Sequence, residues 1–146
     1  MSRASAYWLM KSEPDVFSVD DLARDGRSPW TGVRNFQARN FMRDRMRVGD
    51  LVLFYHSNAE PSGVAGLGRV ASAPYPDPTQ FDRRSDGFEP RATREKPVWM
   101  LVDVAFEEKF SRVVSLAELR AEPRLAGLMV LQRGSRLSIQ PVAPEH

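Results

Sequence analysis

The chain has 146 residues, a formal net charge of +2, no cysteine and only two histidines, His56 and His146. Disulfides, thiolate metal sites and cysteine nucleophiles are therefore excluded, a metal centre would need carboxylates almost alone, and neither metal nor cofactor is expected. No stretch approaches the ~20 apolar residues of a membrane span and the first residues lack a signal-peptide pattern, so one soluble domain over residues 1–146 is expected, monomeric, away from membranes and by default cytoplasmic.

Charge is unevenly placed. Residues 34–47 carry Arg34, Arg39, Arg43, Arg45 and Arg47 against Asp44, whereas residues 13–25 carry Glu13, Asp15, Asp20, Asp21 and Asp25 against Arg24. One surface should be basic and another acidic. Arginine outnumbers lysine eighteen to three, which suits bidentate phosphate contacts but is more simply read as genomic base composition.

In chain order, Ala6 to Met10 reads as a short strand that Pro14 stops from pairing further. Ser18 as N-cap with Asp21 three residues on, and Phe17 placed to staple against Leu22, open a helix that Gly26 ends. After the Ser28-Pro29 break comes Trp30, then a helix from Asn35 to about Met46, with Ala38, Phe41, Met42 and Met46 on one face and Arg39, Arg43 and Arg47 on the next. Arg45 falls among the apolar positions and must snorkel or lie past the helix end. Gly49-Asp50 marks a turn, and Leu51 to Tyr55 is an apolar run expected of a central strand covered on both faces. His56 to Gly63 is a loop, and Val64 to Ala71 a strand whose Gly66 and Gly68 point to a bulge or a close backbone approach. Ala73 to Pro97, rich in proline and charge, reads as a long loop within one domain. Val98 to Phe106 alternates with period two, Ser115 and Glu118 form a second capping box for a helix ending before Pro123, and Arg136 to Val142 is an edge or closing strand. Strands with short helices between them, without regular βαβ alternation, predict an α+β domain on a curled or barrel-like sheet.

Six ordered segments resemble the EVE domain family, which includes the thymocyte nuclear protein group and many small bacterial proteins: Tyr7 to Asp15 (YWLMKSEPD), Trp30 to Asn35 (WTGVRN) with Ala38-Arg39-Asn40, Gly49-Asp50, Phe54 to Asn58 (FYHSN), Tyr75 to Pro78 (YPDP) and Arg136 to Val142 (RLSIQPV). The resemblance runs from about Ala6 to Val142. It implies a PUA-like pseudo-barrel of mostly antiparallel strands flanked by short helices, related to the YTH domains that read methylated adenine in RNA. It further implies a binding module for a modified nucleobase, modified cytosine or methylated adenine, in DNA or RNA. In the YTH relatives a Lys-Ser pair after the first strand and a tryptophan after the first helix line a pocket for one extruded base. Lys11-Ser12 and Trp30 stand at the corresponding places.

Extruding a base costs a few kcal/mol, and stacking on an aromatic returns ~1–3 kcal/mol, so Trp30 is the expected wall of a base pocket, with core packing as its ordinary alternative. Thr31, Gly32 and Val33 would add backbone groups and a small apolar wall. Ser12, Asn35, Ser57 and Asn58 either read a base edge or cap turns and helices. His56 is by type a hydrogen-bonded structural residue, with ligand contact as the other reading. Lys11 is either a solvated strand-end charge or, as the resemblance implies, a phosphate contact or pocket brace. Arg34, Arg39 and Arg43 are candidate phosphate clamps or a solvated helix face. Two other functions stay open: a small amidohydrolase acting on an acylated nucleoside through Lys11, Ser12 and Glu13, and an RNA-binding accessory without modification specificity.

Overall fold

The structure, a computed structural model, describes residues 6–131 and 137–146. β1 (Tyr7–Ser12) runs two residues past the expected end. The Ser18 hydroxyl then accepts from the Asp21 N–H while the Asp21 carboxylate accepts from the Ser18 N–H, a complete capping box for α1 (Val19–Asp25) that Gly26 closes. The expected break at Ser28-Pro29 is instead an edge strand, β2 (Arg27–Pro29), whose proline sits at its end where no ladder donor is missed.

The helix expected over 35–46 forms in two parts. α2 (Phe36–Asn40) leads into a π-helical turn, Phe41–Arg45, closed by the Met46 N–H donating to the Phe41 carbonyl. Ala38, Phe41, Met42 and Met46 are buried as their spacing requires. Arg45 lays its guanidinium against the Trp8 and Phe41 rings, and Arg47 lies beyond the helix.

β3 (Leu51–His56) pairs parallel with β1 and antiparallel with β4 (Gly63–Val70), so it is central and covered on both faces. Trp8, Met10, Val52 and Phe54 face one core with α1 and α2, whereas Leu9, Tyr55, Val64 and Val142 face a smaller one. The loop before residue 97 is pinned, with β5 (Tyr75–Pro76) and a 3-10 turn, Pro78–Phe81, inside it.

The strand expected from Val98 to Phe106 needs correction. Val98 and Trp99 donate their N–H groups to the buried Gln80 Oε1 and so belong to the loop's anchorage. β6 (Met100–Leu101) pairs with β5, and the main strand, β7, runs from Asp103 to Ser115. Exposed Glu107, Glu108 and Lys109 break the apolar alternation there and hid the strand's second half. Bulges in the β4–β7 pairing flank Gly66, where an added Cβ would collide with the Glu108 carbonyl oxygen; this is the close approach anticipated for that glycine. α3 (Leu116–Arg120) carries the expected Ser115–Glu118 box, and β8 (Ile139–Val142) is the edge strand beside β1; Arg136 lies outside the described residues.

The sheet order is β2-β7-β4-β3-β1-β8, mixed and curled, with one parallel pair, which is the α+β architecture expected. No described helix is long and apolar enough to cross a membrane.

Candidate functional site

A cleft of about 400 Å³ opens where four separate segments meet, within the ~300–1,000 Å³ usual for small-molecule sites. Lys11 and Ser12 come from the end of β1, Val16 and Phe17 from the following turn, Ser28 to Arg34 from β2 and the stretch after it, and Ser138 from just before β8. Backbone pairing holds these segments together: the Lys11 N–H donates to the Ser138 carbonyl at 2.8 Å and the Trp30 N–H to the Val102 carbonyl at 3.0 Å. The Ser12 hydroxyl donates to the Phe17 carbonyl at 2.6 Å and ties the turn to the strand end.

Trp30 is both core and wall. It is only 8 % exposed and meets Phe54 edge-to-face at 5.5 Å, yet it lines the cleft. An indole held on its inner side by the core cannot swing away when a planar ligand arrives. Beyond it, Gly32 adopts φ 84°, a left-handed turn that favours glycine.

That turn is held by Asp77, a carboxylate 1 % exposed. Asp77 accepts from the Gly32 N–H at 2.8 Å, Arg34 Nη1 at 3.0 Å, and the Thr79 N–H and hydroxyl at 2.8 and 2.7 Å. Burial alone would raise its pKa, but the donors from Thr79, Gly32 and Arg34 together hold it below the usual carboxylate value. Arg34 also donates to the Thr79 hydroxyl and the Gly87 carbonyl and lies over the Trp99 ring at 5.3 Å. It lines the cleft as a brace, with its guanidinium turned to internal partners.

The remaining expected site residues divide. Lys11, Ser12, Trp30, Thr31, Gly32 and Val33 come together in the cleft, with Lys11 half-buried against the Tyr55 ring and its amino pKa lowered by burial. Asn35 does not line it: its side chain accepts from the Ala38 N–H and caps α2. Ser57 and Asn58 also lie outside; Ser57 donates its N–H to the Ser12 carbonyl, and Asn58, at φ 52°, donates to Glu13. Arg43 pairs in bidentate fashion with Asp44 at 2.8 and 2.9 Å, while Arg39 donates to Asn40 Oδ1 and the Val98 carbonyl.

His56 takes the structural role. Its Nε2 accepts from the N–H of Val19, the first residue of α1, which would otherwise lack a partner. The proton therefore sits on Nδ1, and burial depresses the pKa below 6.5. Its contribution to stability is complete above the unfolded value and is lost as pH falls through the folded one. His56→Gln, which keeps an acceptor, is expected to flatten the decline of thermal stability below pH 6.5; an unchanged decline would assign it to other groups.

Val16, Phe17, Ser28, Pro29 and Ser138 complete the cleft without having been expected there. Phe17 was legible only as a helix staple, and Ser138 arrives through β1–β8 pairing, which no local pattern announces. Asp77 sits in the Tyr75-Pro-Asp-Pro78 segment, whose spacing marks a turn but not a partner.

Comparison with known proteins gives one family. The EVE domain model matches residues 6–146. The chain is 39 % identical to human thymocyte nuclear protein 1 over 163 aligned positions, covering 99 % of this chain and 72 % of that protein. A crystal structure of a Pseudomonas putida protein superposes with a TM-score of 0.92 at 51 % identity, covering 96 % of this chain and 93 % of the other. The human THYN1 protein in complex with 5-methylcytosine-containing DNA superposes at 0.88 with 39 % identity, over 97 % and 92 % of the two chains.

Proposed function

Since the chain belongs to the EVE domain family, we propose that it is a non-catalytic module that takes one modified base, 5-methylcytosine in DNA first among candidates, into the cleft beside Trp30. The observation that carries this reading is the assembly of Trp30, Lys11 and Ser12 around one cleft of about 400 Å³, from segments eighteen or more residues apart. The DNA-bound human structure supports DNA as the partner. Trp30 and Val33 supply apolar lining, and Lys11, Ser12, Ser28, Thr31 and Ser138 polar lining, the combination a planar heterocycle with a polar edge requires. Backbone phosphates fall to Arg39 on α2, with Arg34 bracing the wall between.

The arrangement of Lys11, Ser12 and Glu13 supports a binding role over hydrolysis. The Ser12 hydroxyl proton points to the Phe17 carbonyl, and the Glu13 carboxylate accepts from Asn58 outside the cleft. A nucleophile needs a base at its proton, and a backbone carbonyl takes the Ser12 proton instead.

A methyl group read in a fitted pocket is worth about 1–3 kcal/mol, roughly 10–200-fold. Matched duplexes differing only by cytosine or 5-methylcytosine should therefore differ in affinity by about tenfold or more. Equal affinities remove the modified-base reading; a stronger preference for the matching RNA moves the module to RNA; release of acyl groups from acylated cytidine makes it an enzyme.

A further inference from the structure

One wall of the cleft continues outward as a stack of four side chains. Arg34, in the cleft, lies over Trp99 at 5.3 Å; Trp99 stacks on Phe36 at 4.8 Å with ring planes 25° apart; and Arg39 lies over Phe36 at 4.8 Å. Trp99 is buried at 5 % exposure, yet Phe36 is half exposed, among the few large apolar side chains left in water. A phenyl ring backed by a buried indole is a rigid support for the Arg39 guanidinium that lies over it.

Arg39 differs from Arg43, one turn along. Arg43 is bidentate to Asp44, so its charge is matched. The side-chain bonds of Arg39 go to neutral oxygens, Asn40 Oδ1 at 3.1 and 2.8 Å and the Val98 carbonyl at 2.9 Å. Asp44 is close enough to be felt by Arg39, but both its oxygens are held by Arg43. Arg39 thus has no salt-bridge partner of its own among the described residues, and its charge is fixed in direction against the ring.

We propose that Arg39, held against Phe36, forms a second nucleotide subsite, which takes the nucleotide adjoining the extruded base: its base stacks on the Arg39 guanidinium that Phe36 supports, and its phosphate is drawn by the same charge. A guanidinium fixed on a rigid aromatic is the combination that holds nucleotides without reading their sequence. Extrusion leaves the flanking base without one stacking neighbour, and the outer, guanidinium end of this stack replaces it. The subsite rests on the base-pocket reading of the cleft. It adds affinity and salt dependence but no preference for the modification.

The test is DNA-binding titration of labelled oligonucleotides by wild type, Phe36→Ala, Phe36→Trp, Arg39→Ala and Arg43→Ala, on 5-methylcytosine and cytosine sequences with an abasic residue placed on either flank. Phe36→Ala is expected to bind both sequences about tenfold more weakly with their ratio unchanged, and Phe36→Trp to restore binding. An abasic residue on one flank should weaken wild type by the same factor and leave Phe36→Ala unaffected. Arg39→Ala should reduce the salt slope by about one unit and Arg43→Ala by less. Wild-type affinity in Phe36→Ala, equal losses for abasic residues on both flanks, or a loss confined to the modified sequence overturns the subsite. If wild type itself does not distinguish cytosine from 5-methylcytosine, the base pocket fails instead, and the flank dependence of Phe36 is still read in the same titrations.

Discussion

Asp77→Ala is expected to destabilise the protein by about 3–5 kcal/mol and to abolish preference for a modified base, although Asp77 itself does not line the cleft. The buried carboxylate gathers the Gly32 N–H, Arg34 and both donors of Thr79. Its removal leaves a partly buried guanidinium without its counter-charge, in a side chain whose Nε already lacks a partner, and releases the turn that carries the wall from Trp30 to Gly32. Asp77→Asn separates the two effects, since it keeps an acceptor but removes the charge. Because the folded carboxyl titrates below its ordinary 3.8, its stabilisation is present above the unfolded value and is lost as pH falls through the folded one. The Asn variant should therefore show a shallower acid unfolding limb by circular dichroism. A denaturation midpoint for Asp77→Ala within about 0.5 kcal/mol of wild type would mean that the network does not hold the wall.

Trp30→Ala is expected to lose about 3–5 kcal/mol of stability through the cavity it leaves against Phe54, together with all discrimination between modified and unmodified base. Binding that remains should keep a salt slope close to that of wild type, because Arg39 is untouched. Trp30→Phe covers the case in which the alanine variant does not fold. A smaller ring in the same place preserves most of the packing and should retain folding while weakening discrimination. Discrimination preserved in Trp30→Phe together with a lost salt slope would reverse the roles given to Trp30 and the arginines.

Local chemistry was legible where its causes are local. The Ser18–Asp21 and Ser115–Glu118 boxes, the two-sided burial of β3 and the close approach at Gly66 follow from residue types at fixed spacing, and each stands where expected. The cleft was half legible. Lys11-Ser12 and Trp30 were paired through family resemblance, not through spacing. Asn35, Ser57 and Asn58 have side chains as suited to capping as to recognition, and only tertiary placement shows which use prevails. Ser138 and the Asp77–Gly32 bond join positions far apart in the chain, and such contacts are set by sheet order. The second half of β7 was hidden because its exposed face carries charge where an apolar pattern was sought.

The central claim is that one base leaves its stack and lies against Trp30, and the most direct measurement is a crystal structure of this chain with a duplex containing a single 5-methylcytosine. That base is expected in the cleft between Trp30 and Lys11-Ser12, with its sugar-phosphate neighbours running toward Arg39. A methylated base still stacked in the duplex, with the cleft beside Trp30 empty of DNA, would contradict it.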